Sequence, residues 1–413
     1  MQPDQLAALQ RRTVRVLAAG QVLGGFGLGS TLSIGAILAA EISGTTALSG
    51  TAATLSTLGA ATWAIPLSRL AYAKGRKYSL ATGAAIAIGG AIMVISAAAV
   101  SVFAMLLVGL FMLGAGSATS LQARFAATDL PNSKTRDLSL VVWSTTVGAV
   151  IGPNLFGPGQ IVGDWLHMPH LTGPFLFTIM AQIASTSVFW FGLRPDPQTV
   201  AQQLAADEVR RHRKISFRSA IETLRQHPWA VFAIVSIALS HMVMVSVMSM
   251  TPVHMEGMGY DLVVVGFTVS LHIAGMYAFS PLFGWVADRI GNVRTVLLGQ
   301  LIYLTALGFA GFGQHERVMV TIGLFLLGLG WSASTVSASA LLSKTLPASE
   351  KANVQGLSDS AMNLSGALGG GVAGGILTAV NFGGLNAAAL APVLVIAFAA
   401  WLFSARHGSR TPA

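Results

Sequence analysis

The sequence predicts an all-α integral membrane protein in which twelve transmembrane helices form two pseudo-symmetric six-helix bundles. Three observations carry that expectation. Of the 413 residues, 53% are apolar and only 9% are charged, whereas a soluble domain uses roughly a quarter charged residues. The apolar residues gather into twelve stretches, each near the roughly 20 helical residues needed to cross a hydrocarbon core about 30 Å thick. One long polar segment, 194–227, then divides those stretches six and six. A mean hydropathy of +0.68 agrees with this class. The composition excludes a water-soluble enzyme, a nucleic-acid binder and a disordered regulator. Cysteine is absent, so disulfides, thiolate metal sites and thiol nucleophiles are excluded as well.

The first stretch, 14–42, follows Arg11, Arg12 and Arg15. It is longer than the apolar core of a secretory leader, so it is expected to stay as a helix. Next come 47–70, 79–100, 102–128, 137–162 and 171–193, and these six form an N-terminal bundle, 1–193. Segment 194–227 is a polar linker, and the C-terminal bundle, 228–413, holds 228–253, 261–287, 293–313, 317–343, 353–380 and 385–405.

Basic residues orient a membrane chain, because cytoplasmic loops collect Lys and Arg. With the N-terminus inside, the inner segments hold Arg11, Arg12 and Arg15; Arg69, Lys74, Arg76 and Lys77; and Arg124, Lys134 and Arg136. Seven more lie in the linker (Arg194, Arg210, Arg211, Arg213, Lys214, Arg218, Arg225), followed by Arg289, Arg294, Lys344, Lys351, Arg406 and Arg410. Only Arg317 of the 24 falls outside. The net charge of +9 is thereby a topological signal. Both termini are expected in the cytoplasm, and the linker with them. The expected location is a cell membrane, and specifically a bacterial inner membrane.

The two bundles look like copies at a shift of about 215 residues, an internal repeat typical of secondary transporters. After the eighth stretch stands Gly284-Trp-Val-Ala-Asp288-Arg289-Ile-Gly291, and after the second stands Ser68-Arg69-Leu-Ala-Tyr72-Ala-Lys74-Gly75-Arg76-Lys77. Glycines at matching places suit a tight turn between helices. Asp288 is suited to accept hydrogen bonds from a helix N-terminus. The turn resembles the loop motif of the major facilitator superfamily, Gly-x-Leu-Ala-Asp-Arg-x-Gly-Arg-Lys. The second copy keeps Gly284, Asp288, Arg289 and Gly291; the first keeps Gly75-Arg76-Lys77 but has Tyr72 in place of the aspartate. In the fifth stretch, Gly148-Ala-Val-Ile-Gly152-Pro153 resembles the superfamily's antiporter signature. In the fourth, Leu110 stands where many drug exporters of the superfamily carry arginine. The resemblance implies a monomeric carrier with a cavity lined by the first, fourth, seventh and tenth helices. It also places Asp359 near Arg69 and Arg76, as a substitute for the missing loop carboxylate in an inner-gate ion pair.

No Gly-x-x-x-x-Gly-Lys phosphate loop occurs, so an ion gradient, expected to be protons, is the energy source. Gly369, Gly371 and Gly374 satisfy Gly-x-Gly-x-x-Gly only inside an apolar stretch, where they let helices approach closely. Ionisable groups inside spans are costly and point to function. His241 and His272 both lie near mid-span, at similar depth, and imidazole titrates near neutrality. They are the coupling candidates together with Asp359; a neutral imidazole bonded between helices is the bland alternative. Arg124 is either a contact for an anionic substrate or a snorkelling anchor. Asn154 is a further polar candidate for substrate. Glu41 and Glu256, at matching outer helix ends, suit a solvated role.

Met244 and Met248 share a helix face with His241, and Met276 follows His272 by one turn. Thioether and imidazole suit Cu(I), and this pairing resembles the copper-importing branch of the superfamily. Methionine is also a flexible packing residue. The expected function is therefore proton-coupled antiport of a small organic or amphipathic solute, with export as the direction. A copper importer using Met244, Met248, His272 and Met276 is the alternative, with copper as cargo and no cofactor. Neither an enzyme nor a nucleic-acid partner is expected, since no His-Glu-x-x-His or spaced nucleophile–base pair occurs.

Overall fold

The computed structural model describes residues 3–127, 129–130, 135–205, 222, 224–346 and 351–407. The linker residues Arg210, Arg211, Arg213, Lys214 and Arg218, with Lys134 and Arg410, lie outside the described residues. Helix is the only regular structure among the described residues. In order these are α1 (Pro3–Ser43), a short 3-10 turn (Thr46–Leu48), α2 (Thr51–Lys74), α3 (Arg76–Val100), α4 (Phe103–Ala126), α5 (Thr135–Asn154), α6 (Phe156–Trp165), α7 (Gly173–Gly192) and α8 (Pro197–Ala205). Then follow α9 (Pro228–Gly257), α10 (Leu262–Tyr277), α11 (Ser280–Ile290), α12 (Asn292–Phe312), α13 (Arg317–Thr345), α14 (Lys351–Ala388) and α15 (Leu390–His407).

Every apolar stretch of the sequence coincides with a helix or a broken helix pair. Among the described residues, eight helical stretches are long and apolar enough to cross a membrane, and a bent pair makes nine. One of the eight, Gly356–Phe403, runs through both the eleventh and twelfth sequence stretches. It is divided at Asn381, whose φ is +56°.

The breaks have local causes. The helices flanking Leu155 bend by 52°, directly after Pro153; proline lacks the N–H that the preceding turn requires. Pro281 opens α11 in the same manner, after the break that ends α10. Gly75 and Gly291 adopt nearly one conformation, φ +106° and ψ 166° against φ +95° and ψ 150°. Each caps the helix that follows it, and each is open to glycine far more readily than to other residues. The repeat seen in the sequence is thus a repeat of backbone geometry.

The chain divides into two compact units. One comprises Met1–Gly44, Leu55–His212 and Asp261–Ser270; the other Thr45–Thr54, Arg213–Tyr260 and Leu271–Ala413. Each unit therefore takes in one ten-residue segment from the other half of the sequence. The first unit has a core of Val14, Leu17, Leu80, Val141, Phe189 and Leu193 with small alanines between them. The second is built around Trp229, Phe232, Ile237, Val296, Leu341 and Ile396, with the rings of Trp229 and Phe403 5.3 Å apart.

Lipid tails are as apolar as leucine, so these helices associate through close packing of small residues. The glycines of α14 do this on two sides. A methyl group at Gly369 would lie 2.8 Å from the Met242 carbonyl oxygen on α9, and one at Gly374 would lie 2.5 Å from that of Ala47. Thr54 Oγ1 donates to the Ala367 carbonyl at 2.8 Å, and Ser49 Oγ lies 3.3 Å from Met250 Sδ. These contacts draw segment 45–54 into the second unit. In the first unit, Gly266 abuts the Pro153 carbonyl so closely that a Cβ would overlap it, which draws in 261–270.

Candidate functional site

The second unit holds the two mid-span imidazoles, His241 and His272, and most of the sulfur. His241 sits halfway along α9. Its Nδ1 accepts a hydrogen bond from the Trp331 indole Nε1–H at 3.2 Å. On its other side is Gly366 of α14, where a Cβ would lie 2.7 Å from Cδ2 and 2.9 Å from Nε2 of the ring. Glycine leaves the space that the imidazole occupies. Trp331 is nearly buried, and its ring meets Tyr277 edge-on at 5.7 Å. His241, Trp331 and Tyr277 therefore form an aromatic cluster from three helices, α9, α13 and α10.

His272 is fully buried on α10. Its Nδ1 lies 2.8 Å from the Leu324 carbonyl of α13, and since a carbonyl only accepts, Nδ1 carries the proton. Nε2 is then a bare acceptor, buried with no hydrogen-bond partner among the described residues. The two histidines bond to α13 at Leu324 and Trp331. Seven residues separate these positions, about 10 Å of helical rise. His272 is held there through the Leu324 backbone and His241 through the Trp331 side chain, while the His272 carbonyl itself abuts Gly328, one turn from Trp331.

Met244, Met248 and Met276 are all buried. No group of three or more His, Cys, Asp or Glu suited to a metal occurs among the described residues, so a metal held here would depend on thioethers. Close by, Gln300 Nε2 donates to Ser334 Oγ at 2.9 Å and Tyr303 donates to the Ser240 carbonyl at 2.9 Å. Small hydroxyl and amide groups thus tie α9, α12 and α13 together.

In the first unit the loop motif builds a buried ion pair. Arg76, nearly buried, donates to Asp129 through Nε at 2.7 Å and Nη2 at 2.9 Å, and to Gln122 Oε1 through Nη1 at 2.9 Å. Gln122 in turn donates to the Ala64 carbonyl at 3.2 Å. Arg76 therefore pairs with Asp129, just beyond the end of α4. The reason is topological: α4 runs antiparallel to α3 and its end returns to the start of α3. A second carboxylate, Asp196, accepts from the backbone N–H of Lys77 at 2.7 Å and of Gln198 at 3.0 Å. It caps α3 and α8 together, work that Gly75 lacks a side chain to do.

The other predicted positions fall as follows. Arg69 and Tyr72 are exposed, and the Tyr72 carbonyl accepts from Gln202 at 3.1 Å. Asp288 is exposed and forms no hydrogen bond or ion pair among the described residues, which corrects its expected helix-capping role. Arg289 lies over the Trp285 ring at 5.0 Å, and Gly284 packs against nothing that a methyl group would touch. Arg124 is half-exposed. Asp359 is exposed on α14, where its backbone carbonyl accepts from Asn363 at 2.8 Å. Asn154 is committed locally, donating to Ser270 Oγ at 2.8 Å and the Val150 carbonyl at 2.9 Å. Glu41 sits 3.7 Å from His170 in an exposed pair.

The fifth-stretch signature is a helix crossing. A Cβ at Gly148 would overlap the Val22 carbonyl, and one at Gly152 would lie 2.6 Å from that of Phe26. Opposite them, a Cβ at Gly25 would lie 2.7 Å from the Ala149 nitrogen. Sequence reasoning missed Asp129, Asp196, Gln122, Trp331 and Tyr277. Of these, Asp129 had a readable signal, as a lone carboxylate at the basic end of an apolar helix; Trp331 had only its indole N–H, which needs an acceptor once buried.

The family model of the Major Facilitator Superfamily matches residues 17–276 and 262–413. An uncharacterized MFS-type transporter of Bacillus subtilis, YdeG, is 36% identical over 405 residues, covering 95% of this chain and 93% of its own. The riboflavin transporter RfnT of Brucella anthropi is 26% identical over 361 residues, with 86% of each chain covered. Among solved structures, the nucleoside transporter NupG superposes with a TM-score of 0.71 at 15% identity, covering 95% of this chain and 98% of that one. A twelve-stretch helical sequence with a repeated loop turn, folded as the structure describes and matched along its whole length, belongs to the Major Facilitator Superfamily and is a multi-pass membrane transporter of small molecules.

Proposed function

We propose that this transporter carries a small, planar organic solute by alternating access, coupled to protons, with export as the direction. The observation that carries the reading is the cluster of His241, Trp331 and Tyr277, which brings two aromatic rings together with an imidazole. Aromatic side chains bind flat conjugated solutes through offset and edge contacts. Two relatives in fold or sequence are described as riboflavin and nucleoside transporters, both for solutes of that shape. Proton coupling is supported by His241 and His272, since imidazole is the side chain that titrates near neutrality. His272 Nε2 is an unpartnered acceptor able to take a proton. The export direction rests on the fifth-stretch signature alone.

A ligand-stabilisation screen of the purified protein tests the solute class, with riboflavin, uridine, a lipophilic cation and Cu(I) as probes. A solute at a hundred times its Kd adds about 2.7 kcal/mol to stability, which raises Tm visibly. The expected result is a rise with a planar heteroaromatic probe that shrinks in His241→Ala and Trp331→Leu. Stabilisation by Cu(I) alone, lost in Met244→Leu and His272→Ala, would replace this reading with copper import. The bare Nε2 of His272 is the observation that favours that second reading.

A further inference from the structure

We propose that Trp331 is a positioning residue whose indole N–H holds His241 in its neutral form, so that proton uptake at Nδ1 releases Trp331 from the ring. The inference rests on the proton-coupled reading above and names the moving part. The argument is one of donors and acceptors. An indole N–H only donates, and a protonated imidazole has donors at both nitrogens. The hydrogen bond from Trp331 Nε1 to His241 Nδ1 at 3.2 Å therefore exists only while Nδ1 bears a lone pair. The neutral ring then carries its proton on Nε2, beside Gly366.

A proton arriving from water binds the Nδ1 lone pair and places two N–H groups face to face. The pair must then separate. Among the described residues, no ion pair holds the imidazole. On the helices packed around it, Asp359 lies two turns before Gly366 along α14, Arg317 and Lys344 lie at the ends of α13, and Glu256 and His254 lie at the far end of α9. The element that faces the ring from α13 is Trp331, and behind Trp331 stands Tyr277. Displacing the indole therefore also breaks the edge contact to Tyr277. One proton is read out as a rearrangement of this aromatic cluster.

The experiment is a pH titration of tryptophan emission on the purified full-length protein, from about pH 8 to about pH 4, a range that brackets imidazole titration. The chain has eight tryptophans, so Trp331→Phe supplies the difference spectrum. The expected result is a reversible, pH-dependent component of emission that disappears in Trp331→Phe. It should disappear equally in His241→Gln, where the amide oxygen still accepts from the indole but cannot titrate. It should persist in His272→Gln. A pH-dependent component that survives in His241→Gln overturns the proposal, as does its absence from the unsubstituted protein. Flux measured separately keeps the two readings apart. If emission behaves as expected while flux ignores an imposed pH gradient, the switch stands and the proton-coupled reading falls.

Discussion

Arg76 shows how a single guanidinium decides whether a loop can be buried. Its side chain is about 10% exposed and that of Asp129 about 13%, so both charges have left most of their water. Removing one partner from a buried ion pair costs about 3–5 kcal/mol, because the other charge stays behind unpaired. Asp129→Asn should therefore lower the Tm of the purified protein strongly, and Arg76→Met should do so by a similar amount. A double substitution, Arg76→Met with Asp129→Leu, should recover a large part of the loss, since no uncompensated charge remains. Losses that simply add in the double variant would mean that the two residues act independently. Asp196 calls for a smaller effect: each backbone N–H it caps is worth about 1 kcal/mol, so Asp196→Ala should fall between the surface controls and Asp129→Asn. Arg76 and Asp129 are both visible in the sequence, yet their pairing is not. It depends on where α4 ends relative to the start of α3, which spacing along the chain does not encode.

At the scale of elements, the glycines separate into those that a neighbour requires and those that nothing touches. Gly148 on α5 faces the Val22 carbonyl of α1 with no room for a methyl group, whereas a Cβ at Gly24 meets nothing within 4 Å. Forcing atoms into a packed contact costs about 1–3 kcal/mol, while alanine in place of an unconstrained helical glycine gains up to about 1 kcal/mol. Gly148→Ala should thus destabilise the protein and Gly24→Ala should be neutral or stabilising in thermal unfolding. Equal effects at the two positions would contradict the crossing of α1 and α5. Hydropathy made the helices legible because a bilayer imposes length and apolarity on every crossing. The breaks near residues 155 and 279 were not legible in hydropathy, which runs straight through 137–162 and 261–287, although Pro153 and Pro281 stand beside them. The histidine site was only half legible. His241 and His272 stood out as ionisable groups in apolar stretches, but Trp331 and Tyr277 looked like any aromatic residue of a lipid-facing helix. Only the folded arrangement turns them toward the imidazole. Asp288 failed for the opposite reason: its motif was clear, and its side chain is exposed.

For the molecule as a whole, the strongest remaining inference is orientation, and the chain is well suited to testing it. Both termini should lie on the arginine-rich side, because 23 of the 24 Lys and Arg fall on one face when the twelve stretches alternate, and basic residues near helix ends set the direction of insertion. Since the sequence contains no cysteine, single cysteines can be introduced without a background. Asp4→Cys at the start of α1 and Arg317→Cys at the start of α13 lie on opposite faces in this scheme. In intact cells, or in bacterial spheroplasts, a membrane-impermeant thiol reagent should label Arg317→Cys directly and Asp4→Cys only after permeabilisation. Labelling of Asp4→Cys in sealed cells would reverse the orientation and turn every inner-face argument around. Labelling of both positions from outside would break the alternation itself. An odd number of crossings lies between residues 4 and 317 in a twelve-span chain, so this one pair of variants tests the count of spans and the charge rule together.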